Sequence, residues 1–291
     1  VRFAPVLLFC ALLLAACGDA FDPFVESDQT FALYGFLDAR RDTQFVRVEA
    51  ITDRAEPGSA VEALVTSTDL ATGAATSWRD TLLRRDDGAL GSAFFAVFRP
   101  EPGRMYRIEA ARPDAPGAAS AAVVAIPAEP PLWTAAPETV GDDVVQRLTL
   151  PGGLVPENVR IVYRVRRVGA DGDPIGFSFN RAAQPALGGG AFDVLVPLTR
   201  DARAIRTTLG IDPEDPGGDR LALLDLELVY EIVDTERAEV TGGVGNVGAA
   251  AGFAAGWTLA PEFVRAIGFE DAQAASEPLP ARRRGRLQRQ M

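Results

Sequence analysis

Between residues 31 and 126 the chain repeats one pattern: short apolar or alternating runs, each closed by Gly, Pro or Asp. Residues 31–37 (FALYGFL) are apolar and aromatic throughout. Residues 43–51 alternate, with Phe45, Arg47 and Glu49 on one side and Val46, Val48 and Ala50 on the other. That period of two is the mark of a strand with one buried face. Further runs at 61–68, 76–84, 92–98, 105–111 and 119–126 are set apart by turn residues such as Thr72-Gly73, Asp86-Asp87-Gly88 and Pro102-Gly103. Helical periodicity over eleven or more residues is missing from this stretch. Seven short strands at such spacing predict an antiparallel β-sandwich.

One hairpin sharpens the prediction. After Pro102-Gly103, Tyr106, Ile108 and Ala110 point one way and Arg107 and Glu109 the other, and a small-residue run follows that ends at Pro127. This resembles the closing hairpin of immunoglobulin- and fibronectin-like domains, which implies an architecture and no activity. The Pro-rich stretch 128–137 (AEPPLWTAAP) reads as a linker. Beyond it, runs at 144–150, 159–168, 175–179, 191–198 and 223–233 predict a second β-rich unit. Asp171-Gly172-Asp173-Pro174 marks a hairpin turn within it. A short helix over 201–209, ended by Gly210, is the little helix expected. The predicted fold is therefore mostly β: a sandwich over 29–127, a linker over 128–137 and a second β-rich unit over 138–271.

The two ends differ from this body. Arg2 precedes an apolar run from Phe3 to Leu14, and Leu14-Ala15-Ala16-Cys17 resembles the lipobox of bacterial lipoproteins. By that resemblance 1–16 is a signal peptide, Cys17 carries the lipid, and 17–28 is a polar tether to the membrane. An apolar run of that length is shorter than the roughly 20 residues a spanning helix needs. Residues 272–291 hold five arginines and one glutamate and lack any apolar period, as expected of a basic disordered tail.

Charge and composition then narrow the chemistry. The chain carries −11, and setting aside the basic tail and Arg2 leaves 18–271 at −16. An acidic body repels phosphate backbones, so nucleic acid is not an expected partner. The chain has no His and no Lys, and its two Cys, at 10 and 17, lie in the leader and at the lipid site. These absences exclude Ser-His-Asp triads, His-ligated metals, thiol nucleophiles and Schiff bases. Carboxylate chemistry and oxygen-ligated calcium remain.

Three features offer sites. Asp212, Glu214, Asp215 and Asp219 lie in the acidic, Gly-containing loop 211–220. The loop is either a structural calcium site or a solvated turn, and no other cofactor is expected. The glycine-rich run 242–256 contains Gly243-x-Gly245-x-x-Gly248, but no β/α alternation surrounds it, so a dinucleotide site is rejected. Glycines in such a run allow close backbone approach, bulges or a docking loop, which makes Gly242, Gly243, Gly245, Asn246 and Gly248 candidate partner contacts, the alternative being packing. Trp78, Trp133, Trp257, Phe94, Phe95 and Tyr34 are expected mostly in the core, with stacking on sugars or a receptor as the other use. Asp225, Glu227 and Glu231 read as the wet face of a sheet, and a glycosidase pair among them needs two carboxylates across a cleft.

The order of features from 18 to 271 resembles a family of exported outer-membrane lipoproteins defined by a domain of unknown function. Those features are the lipobox, the short tether, the Pro102/Tyr106 hairpin, Pro127, the longer second half and the late glycine run. Members are often encoded beside TonB-dependent receptors. The resemblance implies an envelope location, periplasmic or surface-facing, and a non-catalytic accessory role with such a transporter. A carboxylate-dependent hydrolase and a purely structural lipoprotein are the competing expectations.

Overall fold

The computed structural model describes residues 29–51, 61–84, 90–115, 117–169, 172–213 and 220–271. The first half forms β1 (Phe31–Asp38), β2 (Thr43–Ala50), β3 (Leu64–Asp69), β4 (Ala75–Ser77), β5 (Arg79–Arg84), β6 (Leu90–Val97), β7 (Met105–Ala111) and β8 (Ala119–Ala125). Next come β9 (Trp133–Thr134), β10 (Glu138–Val140), β11 (Asp143–Pro151), β12 (Pro156–Arg167), β13 (Ile175–Asn180), β14 (Ala183–Pro185) and β15 (Ala191–Pro197). Helix α1 (Leu198–Thr208), β16 (Leu221–Glu239), β17 (Gly243–Trp257), α2 (Pro261–Ala266) and β18 (Glu270–Asp271) complete the described chain.

The fold is mostly β, as the alternating pattern predicts. Its largest layer has nine strands in the order β13-β12-β16-β17-β1-β2-β6-β5, with β18 on β16. A four-stranded sheet, β4-β3-β7-β8, and a five-stranded sheet containing β10, β11, β15, β14 and β9 supply the other faces. Leu33, Val48, Ile108, Leu148, Ile161 and Leu228 come from all three sheets and belong to one buried cluster. The pairing is antiparallel except where β1 lies parallel to β17 and β18 parallel to β16.

The expected hairpin forms from β7 and β8. Tyr106 is buried, and its hydroxyl accepts a hydrogen bond from the Glu101 amide at 3.0 Å, the corner-locking contact of sandwich folds. The run expected as one strand at 76–84 divides. Trp78 is buried at the corner, β4 pairs with β3, and β5 crosses to β6 in the large sheet. A buried indole between two exposed neighbours turns the chain from one layer to the other.

The linker expected at 128–137 is partly structured. Trp133–Thr134 pair with β11, and Gln146 Nε2 donates to the Ala135 carbonyl at 2.9 Å. Nor do the sheets divide at that point, because β1, β2, β5 and β6 share the large sheet with β12, β13, β16 and β17. The parallel pairing of β1 with β17 makes this join, and short-range patterns do not encode it. Helix α1 starts three residues earlier than expected, after Pro197, because Asp143 Oδ1 accepts from the Thr199 amide at 3.1 Å and satisfies the helix start.

Candidate functional site

Strict alternation in β1, β2 and β6 sends Leu33, Leu37, Val46, Val48 and Phe94 inward. It sends Tyr34, Phe36, Phe45, Arg47 and Phe95 to the outer face. The register then sets side chains abreast, so that Gly248, Phe36, Phe45, Phe95 and Arg79 form one row across five strands. Phe36 is 39% exposed and Phe45 44%. The Phe45 and Phe95 ring centres lie 6.3 Å apart with planes at 35°. The Phe36 ring lies over Gly248, filling the space a side chain there would take. In the next row Arg47 sits 5.8 Å from the Tyr34 ring centre and pairs with Glu49. Val97, 72% exposed, extends the apolar strip on its far side. Aromatic rings aligned on a solvated sheet face form a flat apolar strip rimmed by charge, the kind of surface that a partner covers.

The glycine run is corrected by the structure: it is a strand, β17, inside the large sheet, and not a docking loop. A Cβ at Gly242 would collide with the Ala119 carbonyl, at Gly243 with the Phe31 carbonyl, and at Gly245 with the Leu33 carbonyl. These three glycines serve close backbone approach. Asn246 and Gly248 pair with Tyr34 and Phe36, so they border the aromatic row. A sequence signal for the strand exists in the larger residues Val247, Phe253 and Trp257. All are odd-numbered and all are buried.

The aromatic set divides. Trp78, Trp257 and Phe94 are core residues, while Tyr34 and the 58% exposed Trp133 face solvent. Phe36 and Phe45, absent from the expected set, complete the row. Phe45 was legible as the outward residue of an alternating strand. Phe36 was not, because its strand is apolar on both sides. Asp225, Glu227 and Glu231 lie on β16 in cross-strand pairs. Arg164 approaches Asp225 at 3.5 Å and Glu227 at 3.1 Å, and Glu231 pairs with Arg40 and accepts from Asn158 at 2.8 Å.

Of the acidic loop, Asp212 is described and exposed, whereas Glu214, Asp215 and Asp219 lie outside the described residues, as does Cys17. Among the described residues no three His, Cys, Asp or Glu gather as metal ligands. No described helix is long and apolar enough to cross a membrane.

One polar cluster escapes sequence reading. Asp201 of α1, 3% exposed, accepts a hydrogen bond from the Tyr163 hydroxyl at 2.8 Å and binds the Arg181 guanidinium through both oxygens. Burial pushes the Asp201 carboxyl above its usual range despite these two hydrogen bonds. Burial and the Asp201 charge push the Tyr163 hydroxyl well up. Arg181 also lies 5.5 Å from the Phe179 ring centre. The cluster pins α1 to the large sheet. Above it, Arg181, Arg200, Asp143, Val145 and Leu195 line an open depression of about 420 Å³.

No family model and no curated protein matches the chain. Among solved structures, the crystal structure of pullulanase complexed with maltotriose from Anoxybacillus sp. LM18-11 aligns with 73% of this chain at 8% identity and a TM-score of 0.22. The chain spans 25% of that protein, and the likeness carries neither fold nor function.

Proposed function

We propose that this chain is a lipid-anchored lipoprotein of the cell envelope, acylated on Cys17, that binds rather than catalyses and serves as an accessory to a TonB-dependent outer-membrane transporter. The observation that carries the binding role is the row in which exposed Phe36 and Phe45 stand beside half-buried Phe95. Such a row holds apolar area in water that a partner would cover, at about 25 cal/mol for each Å² removed from solvent. The absence of His and Lys and the confinement of Cys to positions 10 and 17 support binding over chemistry.

The reading is tested by capture from outer membranes, with a retained receptor identified by mass spectrometry. The wild-type chain retains a TonB-dependent receptor, and Cys17→Ala leaves the membrane fraction while still binding the detergent-solubilised receptor. The double variant Phe36→Ala/Phe45→Ala stays folded and loses the receptor. Retention by that variant would remove the aromatic row from the contact. If the wild-type chain retains no receptor, the accessory role fails.

A further inference from the structure

The nine-stranded sheet has an open slot along its longest strand pair. β1 covers the edge of β17 only from Gly243 to Ala250, after which its chain turns away through Ala39 and Arg40. Ala250 closes this contact, its carbonyl accepting from the Ala39 amide at 2.8 Å. Alternation therefore aims the N–H and C=O groups of Gly252, Ala254 and Gly256 at the same side. No hydrogen bond reaches those six groups among the described residues. All three residues are exposed, while Ala251, Phe253 and Trp257 are buried on the inner face. Native sheets protect such edges with charge, proline or bulges. The segment AGFAAGW itself has none of these, and only Gly252 at its start is overlaid by a neighbour's charged side chain, the stem of Arg40, which leaves Ala254 and Gly256 clear of it.

We propose that Ala251–Trp257 accepts an extended segment of another protein as an added β-strand. The slot is seven residues long, about 23 Å at strand rise. An incoming backbone would complete the six orphan groups, as in recognition by strand addition. A second copy of this chain does not fit in the symmetric register centred on the slot. Paired antiparallel about Ala254, its β1 would enter the space that β18 fills beside Ala222 and Leu223. Gly256 sets the chemistry at one position, because no side chain there stands between the slot and the Glu227 carboxylate on the neighbouring strand. Arg164 already holds one Glu227 oxygen at 3.1 Å from the β12 side, and a basic side chain opposite Gly256 would approach the carboxylate from the β17 side. The inference stands whether or not the chain is anchored or serves a transporter.

Amide exchange followed by NMR on the purified chain comes first. The Gly252, Ala254 and Gly256 amides exchange at least about a hundredfold faster than those of Phe253, Ala255 and Trp257, which face β16. If the three are protected, in a monomer or a dimer, the slot is already filled and the proposal is overturned. Random heptapeptides displayed on phage are then selected on the wild-type chain. Supporting sequences are enriched in Arg or Lys, slow exchange at the same three amides, and bind Ala254→Pro at least about tenfold more weakly. The proline removes an edge-facing donor and leaves the β16 ladder intact. Gly256→Pro serves in its place if Ala254→Pro does not fold. Phe36→Ala keeps full peptide binding, which separates the slot from the aromatic row. Selection no better than on bare support, or equal binding by the proline variants, would sink the idea.

Discussion

Buried polar atoms at single positions separate stabilising contacts from mere burial. Tyr230 is fully buried with its ring 5.5 Å from that of Phe253, yet its hydroxyl has no hydrogen-bond partner among the described residues. Burial, followed by the Glu129 charge, pushes it up to about 12. Tyr230→Phe should therefore stabilise the protein by about 1 kcal/mol, read from the urea midpoint. Asp201 behaves differently, because two partners hold it. Its folded-state value lies above the unfolded one, so its contribution to stability is complete below about pH 4. That contribution is lost as pH rises through the folded value. Asp201→Asn mimics the protonated form and should flatten this part of the stability profile. Arg181→Met leaves a buried carboxylate unpaired and should cost about 3–5 kcal/mol at pH 7, and less at pH 4. Equal losses for the two variants at every pH would show that Asp201 is not strained by burial.

At the level of elements, β17 shows that glycines in one strand do different work. Gly245 has φ +112° and its Cβ position falls on the Leu33 carbonyl. Gly245→Ala should cost about 3 kcal/mol, because strain and collision act together. Gly256 has no positive φ, and a Cβ there would meet only the Leu226 carbonyl at an ordinary 3.7 Å. Gly256→Ala should change stability by less than about 0.5 kcal/mol. Denaturant unfolding of the two variants checks the contrast. Similar losses would mean that the strand tolerates no side chain anywhere. The run was legible as a place of close approach, since glycine is the residue that permits it. Its being a strand was legible only in the spacing of Val247, Phe253 and Trp257, because Gly and Ala have weak strand preference and its neighbours supply the covering side chains Phe36 and Arg40.

Over the whole molecule, β1 couples the ends of the chain. Removing it would strip β17 of one neighbour and expose Gly243–Ala250, and the first half would lose its place in the large sheet. Calorimetry should accordingly show one transition with equal calorimetric and van't Hoff enthalpies. Residues 138–271 expressed without 29–127 should not give a cooperative transition. Two separate transitions would restore two independent units divided at 128–137.

Alternation in 43–51 and 105–111, turn residues between runs, and the missing His and Lys determined from sequence alone that the protein is β-rich and poor in common catalytic groups. Each of these is local, set by a period of two or by a residue's own chemistry. Tertiary structure decided the rest. The aromatic row requires Phe36, Phe45 and Phe95, far apart in sequence, to be placed abreast by register. The open slot requires β1 to end at Asp38 while β17 runs on to Trp257. Both depend on which strands pair and where pairing stops, and long-range packing of a shared core selects that arrangement.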